Sequence, residues 1–431
     1  MNLEQALAFI HSTRKLGSKL GLDNIRTLTG LLGKPQDHLR FIHVAGTNGK
    51  GSTCAFLSHI MKEAGHKTGL FTSPDLEKYS ERFQIDNENI SDADLVVAVE
   101  KIRRAVETML GAGGNHPTEF EINTALALLY FKEKKCDYVV WETGLGGRLD
   151  STNVIDRSCL SIITAIDYDH THILGDTIGK IAAEKAGIIK KGCPVLLYGD
   201  NPEEAVEVVR NKALEMQSLF RISDFSRIKS CRVTLDGQVF HYGDYRDIRI
   251  TMLGDHQLKN AALSVDAALM LRDSGIPITV ENIYAGLENA RWPGRFEILH
   301  RSPVVVCDGA HNVQGVRILR DTLEKVFPRK NTIFLMGVMK DKNYEEMART
   351  ILPGAKAAVS VRIDYERMLD TKTLAGVMQK YCTRVFEGDT MAEGMDIALE
   401  LAGPDDLICS FGSLYSIAEV KKYVRERLHE L

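Results

Sequence analysis

Four groups of side chains in this sequence could do chemistry on a phosphorylated small molecule. Gly46-Thr47-Asn48-Gly49-Lys50-Gly51-Ser52-Thr53 is a glycine-rich turn with a single lysine. Backbone N–H groups of such a turn, with the start of a following helix, can surround phosphate oxygens. Gly46 and Gly49 let the backbone approach a ligand because no Cβ stands in the way. Lys50 can neutralise outer phosphates, and the hydroxyls of Ser52 and Thr53 can reach a phosphate or its magnesium. The common phosphate-loop pattern has two glycines five positions apart, followed directly by Lys and Ser/Thr. Here position 44 is Val, the glycines are three apart and Gly51 separates Lys50 from Ser52, so the match is partial. A plain strand-to-helix turn with an exposed lysine is the alternative.

The other three groups are Ser73, Glu142 and His170, each expected at the end of a strand. A hydroxyl, a carboxylate and an imidazole converging beside a phosphate loop could hold magnesium on a triphosphate. Magnesium prefers oxygen ligands and retained water, so the imidazole is the least typical of the three. Each residue also has a plain reading. Ser73 precedes Pro74 in an ordinary turn, Glu142 could be a solvated strand end, and His170 a satisfied core histidine.

The elements that must position these groups follow from the patterning. Phe41-Ile42-His43-Val44-Ala45 is an apolar run ending at the loop, and an apolar-periodic segment to about residue 64 starts after it. Strands are expected at 68–71, 137–141, 159–166 and 194–197, with helices over 3–33 (interrupted at 20–26) and 181–189. Ser91 opens another helix as an N-cap. Thr118-Glu119-Phe120-Glu121 has capping-box spacing, so Glu121 reads first as the partner of Thr118. Alternation over 228–252 around Asp236-Gly237 predicts a small antiparallel insert. After Arg291-Trp292-Pro293-Gly294-Arg295 breaks the pattern, strands at 303–307, 331–336, 356–361 and 406–410 alternate with helices. Two α/β domains around mostly parallel sheets result, 1–296 and 297–431. A chain of 431 residues suits more than one core.

Composition narrows the function classes. Apolar residues make up 44% and charged ones 26%, as in a globular chain. A net charge of −4 without basic runs gives no electrostatic reason to expect nucleic acid. The eight cysteines are scattered without short paired spacings, which reads as a reducing compartment without disulfides or zinc. No apolar run approaches a membrane span. Met1-Asn2-Leu3-Glu4-Gln5 lacks the basic start of a signal peptide, and a cytoplasmic location is expected.

The phosphate loop resembles the shortened loop of the Mur-type amide ligases, and the further motifs are similar to their folylpolyglutamate synthase/dihydrofolate synthase branch. These motifs are Thr72-Ser73-Pro74 with Glu81-Arg82, Glu142 to Asp150, Asp169-His170-Thr171, and Glu184 to Lys190. His256-Gln257 with Asn260-Ala261, Pro293-Gly294-Arg295, Asp308-Gly309-Ala310-His311-Asn312 and Gly412-Ser413-Leu414-Tyr415 complete the set. The resemblance implies a Mur-ligase-type phosphate-loop ATPase domain followed by a smaller Rossmann-like α/β domain. It implies an ATP-dependent ligase that joins L-glutamate to dihydropteroate, to the γ-carboxyl of reduced folates, or to both.

By the same resemblance, Gly46 to Thr53, Asn260, Arg295 and Asp308 contact ATP. Ser73, Glu142 and His170 hold magnesium, two ions in all, and Lys185 carries a carboxyl group derived from CO₂. Without the resemblance, Lys185 beside Glu184 would read as a solvated lysine. His311 and Ser413 lie around the incoming glutamate. Thr118, Phe120 and Asp150 lie where relatives capable of the dihydrofolate step hold the pterin, with the 22–26 loop nearby, and Glu121 and Arg148 are expected among the substrate-binding residues. A monomer is expected. Three positions depart from the branch pattern: Asp75 replaces a frequent His, Val313 replaces a frequent Pro, and a Pro-containing loop is missing around 361–364.

Arg148-Leu149-Asp150 tilts the reading towards a bifunctional enzyme, with a purely polyglutamylating form open. A cell-wall Mur ligase would carry a nucleotide-sugar domain before the loop, for which about 40 residues is too short. A nucleotide-binding switch that has lost ligase chemistry is the rival from another class. Lys185 and His170 speak against it, since a mere ATP binder needs neither. Water would destroy an acyl phosphate, so closure of two domains over it is expected.

Overall fold

The computed structural model describes residues 1–14, 17, 21–328, 330–365 and 367–428. They form two compact units. The first holds Met1–Lys229, His241–Arg249 and Lys259–Ala290, and the second holds Ser230–Phe240, Ile250–Leu258 and Arg291–Leu431.

The first unit is built on strands β1 (Phe41–Ala45), β2 (Thr68–Phe71), β3 (Phe83–Ile85), β4 (Glu88–Asn89), β5 (Tyr138–Glu142), β6 (Leu160–Ile163), β7 (Val195–Leu197) and β8 (Phe220–Ile222). They form one sheet in the order β4-β3-β2-β5-β1-β6-β7-β8. Pairing is parallel from β2 through to β8, with β3 and β4 antiparallel at one edge. Every residue of β1 is buried, as its apolar run requires of a central strand covered on both faces. One apolar cluster joins Trp141, Phe71 and Phe41 to helices Asp92–Gly111 and Glu119–Glu133. Another joins Ala45 and Ile163 to helices Ile178–Ala186 and Glu203–Glu215. Fully burying each such large apolar side chain contributes about 1.5–3 kcal/mol.

Strand order explains where a ligand can go. The chain leaves β1 for β2 on one side and later crosses to β6 on the other, so order reverses around β1. Ligands of open α/β sheets bind outside the carboxyl ends of strands at such a reversal. Strands β2, β5, β1 and β6 are consecutive neighbours, and their carboxyl ends lead to Ser73, Glu142, Gly46 and Thr164. Three inter-strand spacings put the four ends within about 14 Å.

Strands β9 (Ile228–Thr234), β10 (Gly237–Tyr242) and β11 (Tyr245–Ile250) make a separate sheet in the order β11-β10-β9. Asp236 and Gly237 stand at its first turn, as the pattern predicts. In the second unit, β12 (Glu297–Arg301), β13 (Val304–Cys307), β14 (Thr332–Met336), β15 (Ala357–Val361), β16 (Val385–Gly388) and β17 (Leu407–Phe411) form a sheet in the order β12-β13-β17-β14-β15-β16. All its pairs are parallel except β12 with β13.

Some elements differ from expectation. The helical stretch expected over 3–33 with an interruption at 20–26 is two helices, Leu3–His11 and Asp23–Leu31, the second starting inside the expected interruption, and positions 15, 16 and 18–20 of that reading lie outside the described residues. The strand expected over 159–166 ends at Ile163, because 164–167 turn aside to hold the phosphate loop. The helix expected at 181–189 runs Ile178–Ala186, starting where the Thr177 hydroxyl accepts the Lys180 N–H. Strands β3, β4, β8, β12 and β16 carry no periodic signal in the sequence.

Candidate active site

The loop after β1 is held by the segment after β6. Thr47 and Asn48 N–H groups donate to the Ala165 carbonyl at 2.8 and 3.3 Å, and the Thr47 hydroxyl donates to the Asp167 carbonyl at 3.0 Å. Those two donors are occupied, which leaves the other N–H groups of the turn and those of the first turn of the helix Lys50–Glu63 for an anion. Thr164 Oγ1 donates to the Asn48 carbonyl at 2.8 Å. It packs so close that a Cβ on Gly46 would lie 1.7 Å from it. Gly49 has φ +87°, and a Cβ there would lie 2.7 Å from Asn260 Oδ1. The two glycines are therefore required by close approach to protein as well as to ligand. Lys50 Nζ turns back onto the Gly46 and Thr47 carbonyls at 3.1 and 3.2 Å, which holds its charge over the loop.

Glu142 is buried at the end of β5, level with Val44 of β1. Its Oε2 accepts the Ser73 N–H at 3.0 Å, so two of the three expected magnesium ligands are joined directly. His170 has φ +50° and sits at the start of the short helix Thr171–Leu174, with its N–H on Asp169 Oδ1 at 2.8 Å. Among the described residues, no three His, Cys, Asp or Glu side chains gather as a metal cage. One carboxylate with a hydroxyl is nonetheless the kind of oxygen donor set magnesium takes, water completing the shell. The hydroxyls of Thr53 and Thr143 are buried without a hydrogen-bond partner, leaving oxygen donors to spare beside the loop.

Beyond Ser73 the chain is braced by Glu81, whose carboxylate accepts the N–H groups of Leu76 and Lys78 at 2.7 and 2.9 Å. Arg82 Nε donates to Asp75 at 2.6 Å. Asp75, a departure from the branch pattern, thus has a partner of its own here.

Lys185 is 2% exposed. Burial, and then the charge of Lys50, push its amine down to about 7, against an opposing pull from Asp169 and Asp150. The glycine-rich turn after β5 packs on the same helix. Arg148 N–H donates to the Glu184 carbonyl at 2.7 Å, and the Arg148 guanidinium pairs with Glu184 at 2.8 Å. A Cβ on Gly147 would lie 2.7 Å from the Glu184 carbonyl oxygen, and one on Gly187 would lie 2.3 Å from Arg148 Cβ.

The residues expected around a pterin are mostly engaged with one another. Thr118 and Glu121 form the reciprocal capping box that their spacing predicts, and the Thr118 hydroxyl also donates to Glu121 at 2.9 Å. Phe120 lies flat against Gly144, where a Cβ would come 2.5 Å from the ring. Asp150 accepts the Leu145 N–H at 2.8 Å and the Thr152 N–H and hydroxyl at 3.0 and 2.5 Å. Burial raises its pKa, and these hydrogen bonds oppose the rise. Sequence reasoning missed Thr164 and the buried turn residues Thr152 and Asn153. The only signal for the latter is a polar run, Asp150-Ser151-Thr152-Asn153, directly after a glycine-rich turn.

In the second unit, Asp308 and Ser413 follow the neighbouring parallel strands β13 and β17. Asp308 accepts the N–H groups of Phe296 and Ala310, both at 2.7 Å. Burial raises its pKa, opposed by Arg295 and those two donors. Arg295 reaches within 2.9 Å of the Cβ position on Gly309. His311 Nδ1 lies 2.8 Å from the Gly309 carbonyl, and Ser413 Oγ accepts the Tyr415 N–H at 3.2 Å. Arg295, Asp308, His311 and Ser413 therefore gather by the carboxyl ends of β13 and β17.

Known proteins match both parts of the chain. Residues 44–268 match the Mur ligase middle domain and 294–414 match the Mur ligase glutamate ligase domain. The dihydrofolate synthase/folylpolyglutamate synthase of Bacillus subtilis is 37% identical over 98% of this chain and 99% of its own length. The folylpolyglutamate synthase of Lacticaseibacillus casei is 38% identical over 81% of this chain and 82% of its own. Among solved structures, Mycobacterium tuberculosis folylpolyglutamate synthase with ADP and AMPPCP superposes with a TM-score of 0.89 at 29% identity, covering 98% of both chains. Escherichia coli FolC in complex with DHPP and ADP gives 0.87 at 26% identity, covering 99% of both. The motifs that carry the resemblance thus sit in a chain matched along its length, and this protein belongs to the Mur ligase family, in its dihydrofolate synthase/folylpolyglutamate synthase branch.

Proposed function

We propose that this protein is an ATP-dependent ligase that adds L-glutamate to dihydropteroate and to the γ-carboxyl of reduced folates, working in the cytoplasm as a monomer. The observation that carries the reading is Lys185. A buried amine, pushed towards neutrality by burial and by the lysine of the phosphate loop, has no use in a nucleotide switch. It suits a lysine that must first be neutral to bond CO₂. In that step the amine nitrogen attacks carbon, a proton leaves, and a carbamate anion replaces a cation. Among the described residues no helix is long and apolar enough to cross a membrane.

A carboxylate resists attack by amines because its charge repels nucleophiles and oxide is a poor leaving group. In the proposed reaction its oxygen attacks the γ-phosphorus of ATP, the bond to the β-phosphate oxygen breaks, and ADP departs. The amine of glutamate then attacks the acyl carbon, loses a proton and expels inorganic phosphate. We assign Gly46, Thr47, Asn48, Gly49, Lys50, Gly51, Ser52, Thr53, Asn260, Arg295 and Asp308 to the nucleotide. His311 and Ser413 are assigned to glutamate, and Thr118, Phe120, Glu121, Arg148 and Asp150 to the acceptor. Ser73, Glu142 and His170 would hold magnesium, which when bound supplies positive charge against the phosphates. Lys50 neutralises charge that builds up during transfer, and the rigid loop around it holds phosphate in line.

The test is an ATP-dependent assay in which dihydropteroate and tetrahydrofolate are offered separately with glutamate. Phosphate release that requires glutamate and either acceptor supports the proposal. Product from tetrahydrofolate alone removes the dihydropteroate half. ATP turnover indifferent to both acceptor and glutamate overturns the ligase reading in favour of a switch.

A further inference from the structure

Asn153 is buried in the turn Ser151–Val154, and that turn is anchored from the sheet. Trp141 Nε1 donates to the Thr152 carbonyl at 2.9 Å. Thr152 Oγ1 donates to Asp150 at 2.5 Å and lies 3.0 Å from His43 Nε2. A hydroxyl has one proton, and this one goes to Asp150, so His43 must donate through Nε2. Its Nδ1 is then a buried acceptor without a partner.

From this fixed backbone the Asn153 amide reaches two other elements. Nδ2 donates to the Arg148 carbonyl at 3.0 Å and to the Gly187 carbonyl at 3.1 Å. Arg148 belongs to the glycine-rich turn after β5, and Gly187 ends the helix that carries Lys185. Both amide protons are used at this junction, while Oδ1 is buried without a partner. Turning the amide over would press Oδ1 against two carbonyl oxygens, so its neighbours fix its orientation. A buried unsatisfied oxygen costs stability, and an aspartate here would add charge to that clash. Only a side chain offering two protons from one nitrogen at this reach serves both carbonyls. Glycines 147 and 187 bring the same two segments together too closely for any Cβ, so the amide is the polar fastening of a glycine-lined joint.

We propose that Asn153 is a positioning residue for ligation: its side-chain amide clamps the 144–150 turn to the end of the Ile178–Ala186 helix and so fixes Lys185 relative to the end of β5. This rests on the ligase reading above. The clamp touches neither the phosphate loop nor the nucleotide residues, so it acts on turnover and leaves nucleotide binding intact.

The test compares Asn153→Asp, Asn153→Ala and Asn153→Ser with the parent enzyme, each checked for folding by circular dichroism. Expected is a kcat at least tenfold lower in Asn153→Ala and Asn153→Ser, with KM for ATP within twofold of the parent. Asn153→Asp should be lower still, since it sets a carboxylate against two carbonyls. A folded Asn153→Ala with kcat within twofold of the parent overturns the clamp and leaves the ligase reading standing. An apparent kcat that falls only in proportion to the unfolded fraction, and returns to the parent value when corrected for folded enzyme, also overturns it. If the parent itself fails to ligate, the ligase reading falls and amide exchange decides the clamp. Segments 144–150 and 178–188 should then lose protection together in Asn153→Ala while 50–63 keeps its own, and unchanged exchange in both segments refutes it.

Discussion

Replacing Lys185 with methionine should make the protein more stable and inactive. Lys185 is buried, and its amine is lowered from the 10.5 of a free lysine to about 7 by burial and by Lys50. Between those two values the unfolded chain binds a proton that the folded chain does not. Stability therefore rises with pH across that window, and the deficit is fully present below about pH 7. At about 1.36 kcal/mol per pH unit, the deficit has a ceiling of about 5 kcal/mol in acid, about 4 near pH 7.5 and none above about pH 10.5. Methionine has a similar reach and no charge to desolvate, so Lys185→Met removes the term. The assay is denaturant unfolding of parent and variant at several pH values in CO₂-free buffer. The variant's advantage should be largest at pH 6 and shrink steadily towards pH 10. Added bicarbonate should stabilise the parent alone, because only its amine can form a carbamate. A variant less stable than the parent at every pH, or an advantage that ignores pH, would refute the argument that Lys185 is held near neutrality by burial.

Two other substitutions probe the loop. Lys50→Ala should abolish ligation while leaving the far-ultraviolet dichroism intact, since among the described residues its ammonium bonds to two carbonyls of its own loop, Gly46 and Thr47; near-normal turnover would overturn its assigned role. Gly46→Ala places a Cβ 1.7 Å from Thr164 Oγ1, and strain of about 1–3 kcal/mol should weaken ADP binding roughly five- to 150-fold by calorimetry. A second change, Thr164→Ala, should restore part of that loss, and an unchanged affinity in Gly46→Ala would show that the loop can move aside.

The parts of the site that the sequence displays are those whose chemistry is local. Phe41 to Thr53 announces a strand, a turn and a helix because apolar runs and glycine act within a few residues of themselves. Thr118 and Glu121 satisfy each other three positions apart, so the capping box is readable from spacing alone. Lys185 is the opposite case. Its neighbour Glu184 suggests solvent, yet Lys185 is buried, and the charges that act on it, Lys50, Asp169 and Asp150, stand far away in sequence. Edge strands such as β4 and β8 escape detection for a related reason. They have two and three residues, too few for alternation to register, and backbone pairing holds them whatever their side chains are.

The acceptor region carries this distinction into function. Asp150 and Glu121 are both expected among the substrate-binding residues, yet here they are first of all parts of the protein's own frame. Asp150 accepts from Leu145 and Thr152, and Glu121 accepts from Thr118. A carboxylate has about four acceptor positions on its two oxygens, so these bonds do not exhaust either group. They do remove its freedom to turn. A carboxylate already locked by backbone donors offers its remaining lone pair in one direction, and a ligand that fits finds it with no further ordering cost. The same turn that locks Asp150 also presents the Asn153 amide to the helix of Lys185. On the proposed assignment, acceptor recognition and the placement of that lysine are coupled through one segment, 144–154, whose residues 150–154 are buried, and a substitution there should disturb both before it disturbs the nucleotide.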